Sequence, residues 1–208
     1  MSKKPKVSIL MNTYNQEVLA IRALDSIPRR DDIEVIVSDD ASTDKTYANL
    51  LKYKKAHPDL NMKLYRNKEN MGCYAHGNKS IHYATGEYLH CLDNDDYLYT
   101  DKYNQVLDMI DGEYDAYYIN LEINDGTILV LNEQNRHAYC APTTRIVRRS
   151  LLEDLEFHVE LGGLLDGLYN EEFLKKNPKS LYTYITAYRH NFPREGSVTD
   201  MFRKGLLK

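Results

Sequence analysis

Short apolar runs that stop at polar clusters recur along the first half of the chain. Residues 6–11 (KVSILM) have the length and composition of a buried strand and break at Asn12-Thr13-Tyr14-Asn15. Val18, Leu19, Ala23, Leu24 and Ile27 then recur at helical spacing, predicting a helix over residues 17–27 that Pro28 ends. A second apolar run, residues 33–38 (IEVIVS), stops at Asp39-Asp40. Ser42 or Thr43 can cap a helix over residues 45–56. Residues 61–65 predict a third strand, 67–72 a polar loop with Gly72 free to take an unusual backbone angle, and 74–84 a helix weakened at Gly77. A fourth run, residues 88–92 (YLHCL), ends in Asp93-Asn94-Asp95-Asp96.

Four alternations of strand and helix predict an α/β fold: a mostly parallel central sheet with helices on its faces. Right-handed crossovers bring the carboxyl ends of such strands to one edge, where ligands bind. Three polar clusters at successive strand ends therefore make one candidate site. Its last member puts three carboxylates within four residues, which repel one another unless a cation lies between them. Hard oxygen donors suit Mg²⁺ or Mn²⁺; the competing reading of each cluster is ordinary turn and cap chemistry.

The pattern changes after residue 97. A helix over 102–110, a strand over 114–121, the hairpin signal Asn124-Asp125-Gly126-Thr127 and a strand over 128–131 predict mixed or antiparallel structure. Residues 148–155 and 171–176 have helical character, 181–188 strand character, and 189–199 form a polar loop before a tail. The expectation is a single domain over residues 1–208, with a ligand-binding half over 6–97 and a second half over 98–208.

Composition narrows the function little. The net charge of −4 argues against general nucleic-acid binding. No apolar run approaches the ~18 residues of a membrane span, and Cys73, Cys91 and Cys140 lack metal or disulfide spacing, which fits buried thiols in a cytoplasmic protein. Eighteen tyrosines and no tryptophan fit either a compositional habit, the favoured reading, or a sugar-stacking surface.

The segments VSILMNTYN, IEVIVSDDASTDKT and NMGCYAHGNKSIHYATGEYLHCLDNDD resemble the family 2 glycosyltransferases of GT-A fold, strongly over about residues 6–97 and loosely to about 199. The resemblance implies an inverting enzyme that moves a hexosyl or N-acetylhexosaminyl group from a UDP-sugar to a glycan, lipid-linked or other hydroxyl acceptor, with Mn²⁺ or Mg²⁺. It implies that Thr13, Tyr14, Asn15 and Asp39 line the nucleoside pocket, with Asp40 orienting the loop. Asn70 and Gly72 match the family's Asn-x-Gly loop. Asp93 would approach the ribose and Asp95 would hold the metal, with Asn94 between them and Asp96 behind or beside the ion. His76 has no assigned role.

Inverting transfer also needs a carboxylate to deprotonate the acceptor. The family's Glu-Asp pair aligns with Leu165-Asp166, so the Glu is missing; Asp166 is the expected base and Glu160 the substitute. Tyr188-Arg189-His190 with Ser197 resembles the family's closing loop, implying Arg189 on the diphosphate and His190 on the metal, although Pro193-Arg194-Glu195-Gly196 lengthens that loop. A non-catalytic sugar-nucleotide-binding relative is the alternative. A sugar nucleotidyltransferase is disfavoured because residues 12–17 lack a glycine-rich phosphate loop. A homo-oligomer carries no sequence marker for or against it.

Overall fold

A computed structural model describes residues 5–137, 141–162 and 165–205, excluding the side chains of Val198 and Phe202. Burial explains the first-half pattern. β1 (Val7–Thr13) and β2 (Ile33–Asp39) are buried at every position but Asn12, as expected of parallel strands covered on both faces. They pair in parallel with each other and with β3 (Met62–Arg66) and β4 (Tyr88–Cys91). The intervening helices are α1 (Leu19–Asp25), α2 (Thr46–Ala56) and α3 (Cys73–Ser80). α1 starts later than its apolar pattern suggests, and α3 ends in a 3-10 turn, Ile81–Tyr83, short of residue 84. Neither Ser42 nor Thr43 caps α2. The Thr46 amide donates to Asp44 (2.8 Å), and the Ser42 hydroxyl instead accepts the Asn15 amide (3.0 Å).

The second half continues the same sheet. β5 (Tyr97–Leu98), α4 (Thr100–Met109), β6 (Ala116–Glu122), β7 (Ile128–Leu129), β8 (Arg145–Arg148), α5 (Asp166–Lys175), β9 (Ser180–Arg189) and α6 (Val198–Arg203) follow in order. The strand order is β3-β2-β1-β4-β8-β6-β9-β5, with β7 on β6. β8 lies antiparallel between β4 and β6, and β9 pairs parallel with β6 and antiparallel with β5. Together these strands and helices form the α/β architecture with a mixed sheet.

Three elements differ from the sequence pattern. β8 occupies residues just before those expected to be helical, and only a 3-10 turn, Arg149–Leu151, follows it. Its slot between two strands buries Ile146 and Val147 on opposite faces, so its four residues carry no alternation to read. α5 begins at Asp166, five residues before the expected start, and α6 spans the end of the expected polar loop and the start of the tail. The tyrosines serve packing: Tyr88, Tyr103, Tyr117, Tyr118 and Tyr188 are all fully buried. The Tyr88 hydroxyl donates to the Tyr114 carbonyl (2.8 Å) and that of Tyr117 to Asp111 (2.9 Å). Cys73 is exposed and Cys91 half-buried, both as free thiols, and Cys140 lies outside the described residues. Among the described residues no helix is long and apolar enough to cross a membrane.

A buried carboxylate locks the edge opposite the site. Glu34 accepts the Ser8 hydroxyl (2.6 Å), the Thr85 amide (2.6 Å), the Gly86 amide (3.1 Å) and the Lys63 ammonium (2.7 Å). Gly86 is required there, because a Cβ would lie 2.7 Å from the Ser8 hydroxyl and 2.8 Å from its amide. Burial pushes the Glu34 carboxyl up, but the Lys63, Ser8 and Thr85 hydrogen bonds outweigh it and hold the group below its ordinary value. A depressed folded-state value stabilises above the unfolded value of ~4.3, and that contribution is lost as pH falls through the folded value. Glu34→Ala is expected to destabilise by about 3 kcal/mol or more at neutral pH, with the loss shrinking in acid, as measured by chemical denaturation at several pH values.

Candidate active site

The carboxyl ends of β1, β2 and β4 meet at one edge, because all three run in parallel register. Thr13 and Asp39 are register partners and both are fully buried. Asp39 Oδ2 accepts the Ser42 amide (3.1 Å) and faces Arg66 at 3.2 Å. Its Oδ1, the Thr13 hydroxyl and Asn12 Oδ1 are buried without a hydrogen-bond partner among the described residues. Thr13 and Asp39, as register partners, share a face at the strand ends, and unsatisfied buried oxygens there need a ligand or water to complete them. Around this pocket the remaining side chains act as braces. Asn15, at φ 52°, accepts the Thr43 amide (2.8 Å), and Tyr14 is exposed at the rim.

Asp40 holds the next loop. It accepts the Asn67 side-chain amide (2.7 Å) and the backbone amides of Met71 and Gly72 (3.0 Å each), while Asn70 donates to its carbonyl (3.3 Å). Gly72 sits at φ 81° as the residue capping α3. His76 is buried against the Ser38 hydroxyl (2.7 Å), and burial lowers its pKa, so it is a neutral structural group.

The carboxylate turn is held from β9. β5 pairs with β9 so that Leu98 faces Tyr188 and Tyr97 faces Arg189. Tyr188 accepts the Asp93 amide (3.1 Å) and donates to Asp96 (2.7 Å). Fully buried Asp96 also takes the Asn191 amide (2.7 Å) and His190 Nδ1 (2.9 Å). Asp95 pairs with Arg194 (2.6 Å), and its carbonyl accepts Arg22; Asn94 donates to the Asn12 carbonyl (2.7 Å). Asp93 opens to solvent yet is crowded by protein. That crowding, with repulsion from Asp96 and Asp95, holds its carboxyl well above the ordinary range. Burial lowers the His190 pKa, while the Asp96 hydrogen bond and the surrounding carboxylates raise it further, for a net upward shift.

The structure gives the two arginines of the closing loop different partners. Arg189 is bound to Glu122 and reaches the Asn124 carbonyl, so the cation facing the carboxylate turn is Arg194. The sequence pattern missed it because the match to the Tyr-Arg pair pointed to Arg189, and Arg194 lay in the stretch that lengthens the loop. Tyr188 belongs to that same match, but its contacts to Asp93 and Asp96 depend on strand pairing and carry no mark in the sequence.

The donor chemistry of the turn suits a hard divalent cation: the carboxylates of Asp93 and Asp95 and the second ring nitrogen of His190. They are not gathered as a cage, and among the described residues no three ligand-type side chains surround one point. Arg194 would have to turn away from Asp95 for an ion to bind there.

On the opposite side, Asp166 opens α5 without serving as a cap, and its side chain makes no hydrogen bond or ion pair among the described residues. Burial raises its pKa, and the buried Arg145 partly offsets that. Its charge adds to the upward shifts of Asp93 and Cys73, which places it within electrostatic range of the carboxylate turn. Glu160 is exposed on a 3-10 turn, 3.3 Å from His158.

Comparison with known proteins points to one family. The profile of glycosyl transferase family 2 matches residues 8–136. The chain is 39% identical over 98 residues to the putative colanic acid biosynthesis glycosyl transferase WcaA of Escherichia coli, covering 46% of this chain and 34% of WcaA. It is 29% identical over 213 residues to the poly(ribitol-phosphate) beta-N-acetylglucosaminyltransferase TarS of Staphylococcus aureus, covering 92% of this chain and 36% of TarS. The crystal structure of S. aureus TarS 1–349 in complex with UDP-GlcNAc superposes with a TM-score of 0.75 at 27% identity, covering 92% of this chain and 60% of that one. This chain thus spans about a third of the length of these two relatives. Its mixed sheet is that of the GT-A glycosyltransferases, and by the family match the chain belongs to glycosyl transferase family 2.

Proposed function

We propose that the chain transfers a hexosyl or N-acetylhexosaminyl group from a UDP-sugar to an acceptor hydroxyl with inversion at the anomeric carbon. The observation that carries this reading is the set of unsatisfied buried oxygens at Thr13 and Asp39, which suits the N–H edge of a uracil base. The sugar diphosphate then runs from that pocket past Gly72 and Asp93 toward Arg194. TarS, a relative with UDP-GlcNAc bound, supports the donor class.

Asp166 acts as the base. It takes the proton of the acceptor hydroxyl as that oxygen forms a bond to the anomeric carbon, while the bond from that carbon to the diphosphate oxygen breaks. Arg194 swings from Asp95 to the departing diphosphate and meets its charge through paired N–H donors. A divalent ion held by Asp93 and Asp95, with His190, would add charge neutralisation when bound. Single displacement with a base across the sugar gives inversion.

Two outcomes test this. Asp39→Ala is expected to weaken UDP binding roughly tenfold or more by calorimetry, since a charge-assisted hydrogen bond to a buried base is lost; unchanged affinity would remove the uracil pocket. Asp166→Asn is expected to keep UDP affinity and lose turnover. In the wild type, kcat is expected to fall in acid as the base is protonated, at a pH above that of an ordinary carboxylate because burial raises Asp166. A normal rate in Asp166→Asn would move the base elsewhere.

A further inference from the structure

α3 touches both halves of the reaction. At its amino end, Gly72 and Met71 hang on Asp40, and His76 is bonded to Ser38, so the helix is fixed to the strand-end pocket. Its other face holds the segment that leads to Asp166. The Asn78 side chain donates to the Phe157 carbonyl (2.8 Å) and accepts the Phe157 amide (2.7 Å), clamping both backbone groups of one residue. The Phe157 ring then stacks on Tyr169 of α5, with centroids 4.3 Å apart and planes at 16°, and tilts against Tyr74 of α3 at 4.9 Å. The Phe157 ring packs closely over α3, so that a Cβ at Gly77 would lie in van der Waals contact with it at 3.4 Å.

Beside this clamp, the Leu165 amide donates to the Tyr74 hydroxyl (3.1 Å). Leu165 caps α5, and Asp166 is the first residue of that helix. Tyr169, Asn170 and Phe173 lie three, four and seven residues on from Asp166, so they continue its helical face, and all three are buried. Rotation or translation of α5 is thereby limited by Phe157 at Tyr169 and by Tyr74 at Leu165. The Asp166 carboxylate has no side-chain partner of its own among the described residues, so its position is inherited from the helix that carries it.

We propose that Asn78 and Tyr74 are positioning residues for the reaction: through Phe157 and Leu165 they set the distance between the donor held at the strand ends and the carboxylate of Asp166. This rests on the reading of Asp166 as the base. A base displaced by about 1 Å loses much of its rate while the donor pocket, anchored on Asp40 and Asp39, is untouched.

The test uses the full chain and the release of UDP from whichever of UDP-glucose, UDP-galactose and UDP-GlcNAc the wild type turns over fastest. Asn78→Ala is expected to lower kcat roughly tenfold to a hundredfold, with KM for the donor and the calorimetric affinity for UDP unchanged. Combined with Asp166→Asn, it is expected to lower the residual rate no further, because it acts through that residue. Tyr74→Phe, which removes only the hydroxyl that accepts the Leu165 amide, is expected to show the same split with a smaller fall and serves where Asn78→Ala does not fold. A full kcat in the Asn78 and Tyr74 variants while Asp166→Asn is dead would overturn the positioning role alone. An equal loss of UDP affinity would assign α3 to donor binding instead. A normal rate in Asp166→Asn would overturn the underlying choice of base.

Discussion

The satisfaction of Asp96 is the constraint on which the rest of the site depends. Three carboxylates crowd a turn at the end of β4, and one of them is fully buried. A buried anion is tolerable only when hydrogen bonds replace its water, and here every donor to the Asp96 side chain comes from the far end of the chain: Tyr188, His190 and the Asn191 amide. The carboxylate turn of the first half and the closing strand of the second half therefore fold as one unit. Breaking that set would free the turn, strip Tyr188 from the Asp93 amide and leave the loop bearing Arg194 without its anchor.

Asp39 and Asp40 show how neighbouring carboxylates take different duties. Asp40 spends both oxygens on the loop before α3, which fixes where that helix starts. Asp39 commits one oxygen to the Ser42 amide and Arg66 and leaves the other unsatisfied in a buried place. Other buried polar atoms also lack a partner, but those of Thr13 and Asp39 stand at register partners on a strand end, where a ligand can complete them. At the opposite edge Glu34 gathers the backbone and side chains of β1, β3 and the turn before β4 into one hydrogen-bonded cluster.

The tyrosine content is explained by packing more than by surface recognition. The interior between β4, β6, α4 and β9 is built from tyrosines whose rings fill space and whose hydroxyls, that of Tyr118 excepted, reach polar groups, as in the pairing of Tyr103 with His90 at 2.8 Å. That interior also explains the lowered pKa of His90, about 4, because burial disfavours its charged form. The same packing joins the two halves of the sheet across β8, which contributes four residues and no recognisable pattern.

The sequence by itself determined the first four strands, their order of alternation with helices, and the gathering of polar residues at their carboxyl ends. These are local facts: a buried parallel strand is an apolar run, and a parallel crossover fixes which end faces the site. The family resemblance followed from the same segments. What only the tertiary structure decided depends on contacts far apart in the chain. β8 exists because a slot between β4 and β6 accepts it, α5 begins at Asp166 because Tyr74 and Phe157 seat its first turn, and Arg194 rather than Arg189 faces Asp95 because Glu122, adjacent across the sheet, already holds Arg189. A charged side chain carries no period along the sequence; its partner is chosen by which strands lie side by side, and that choice is made only when the sheet closes.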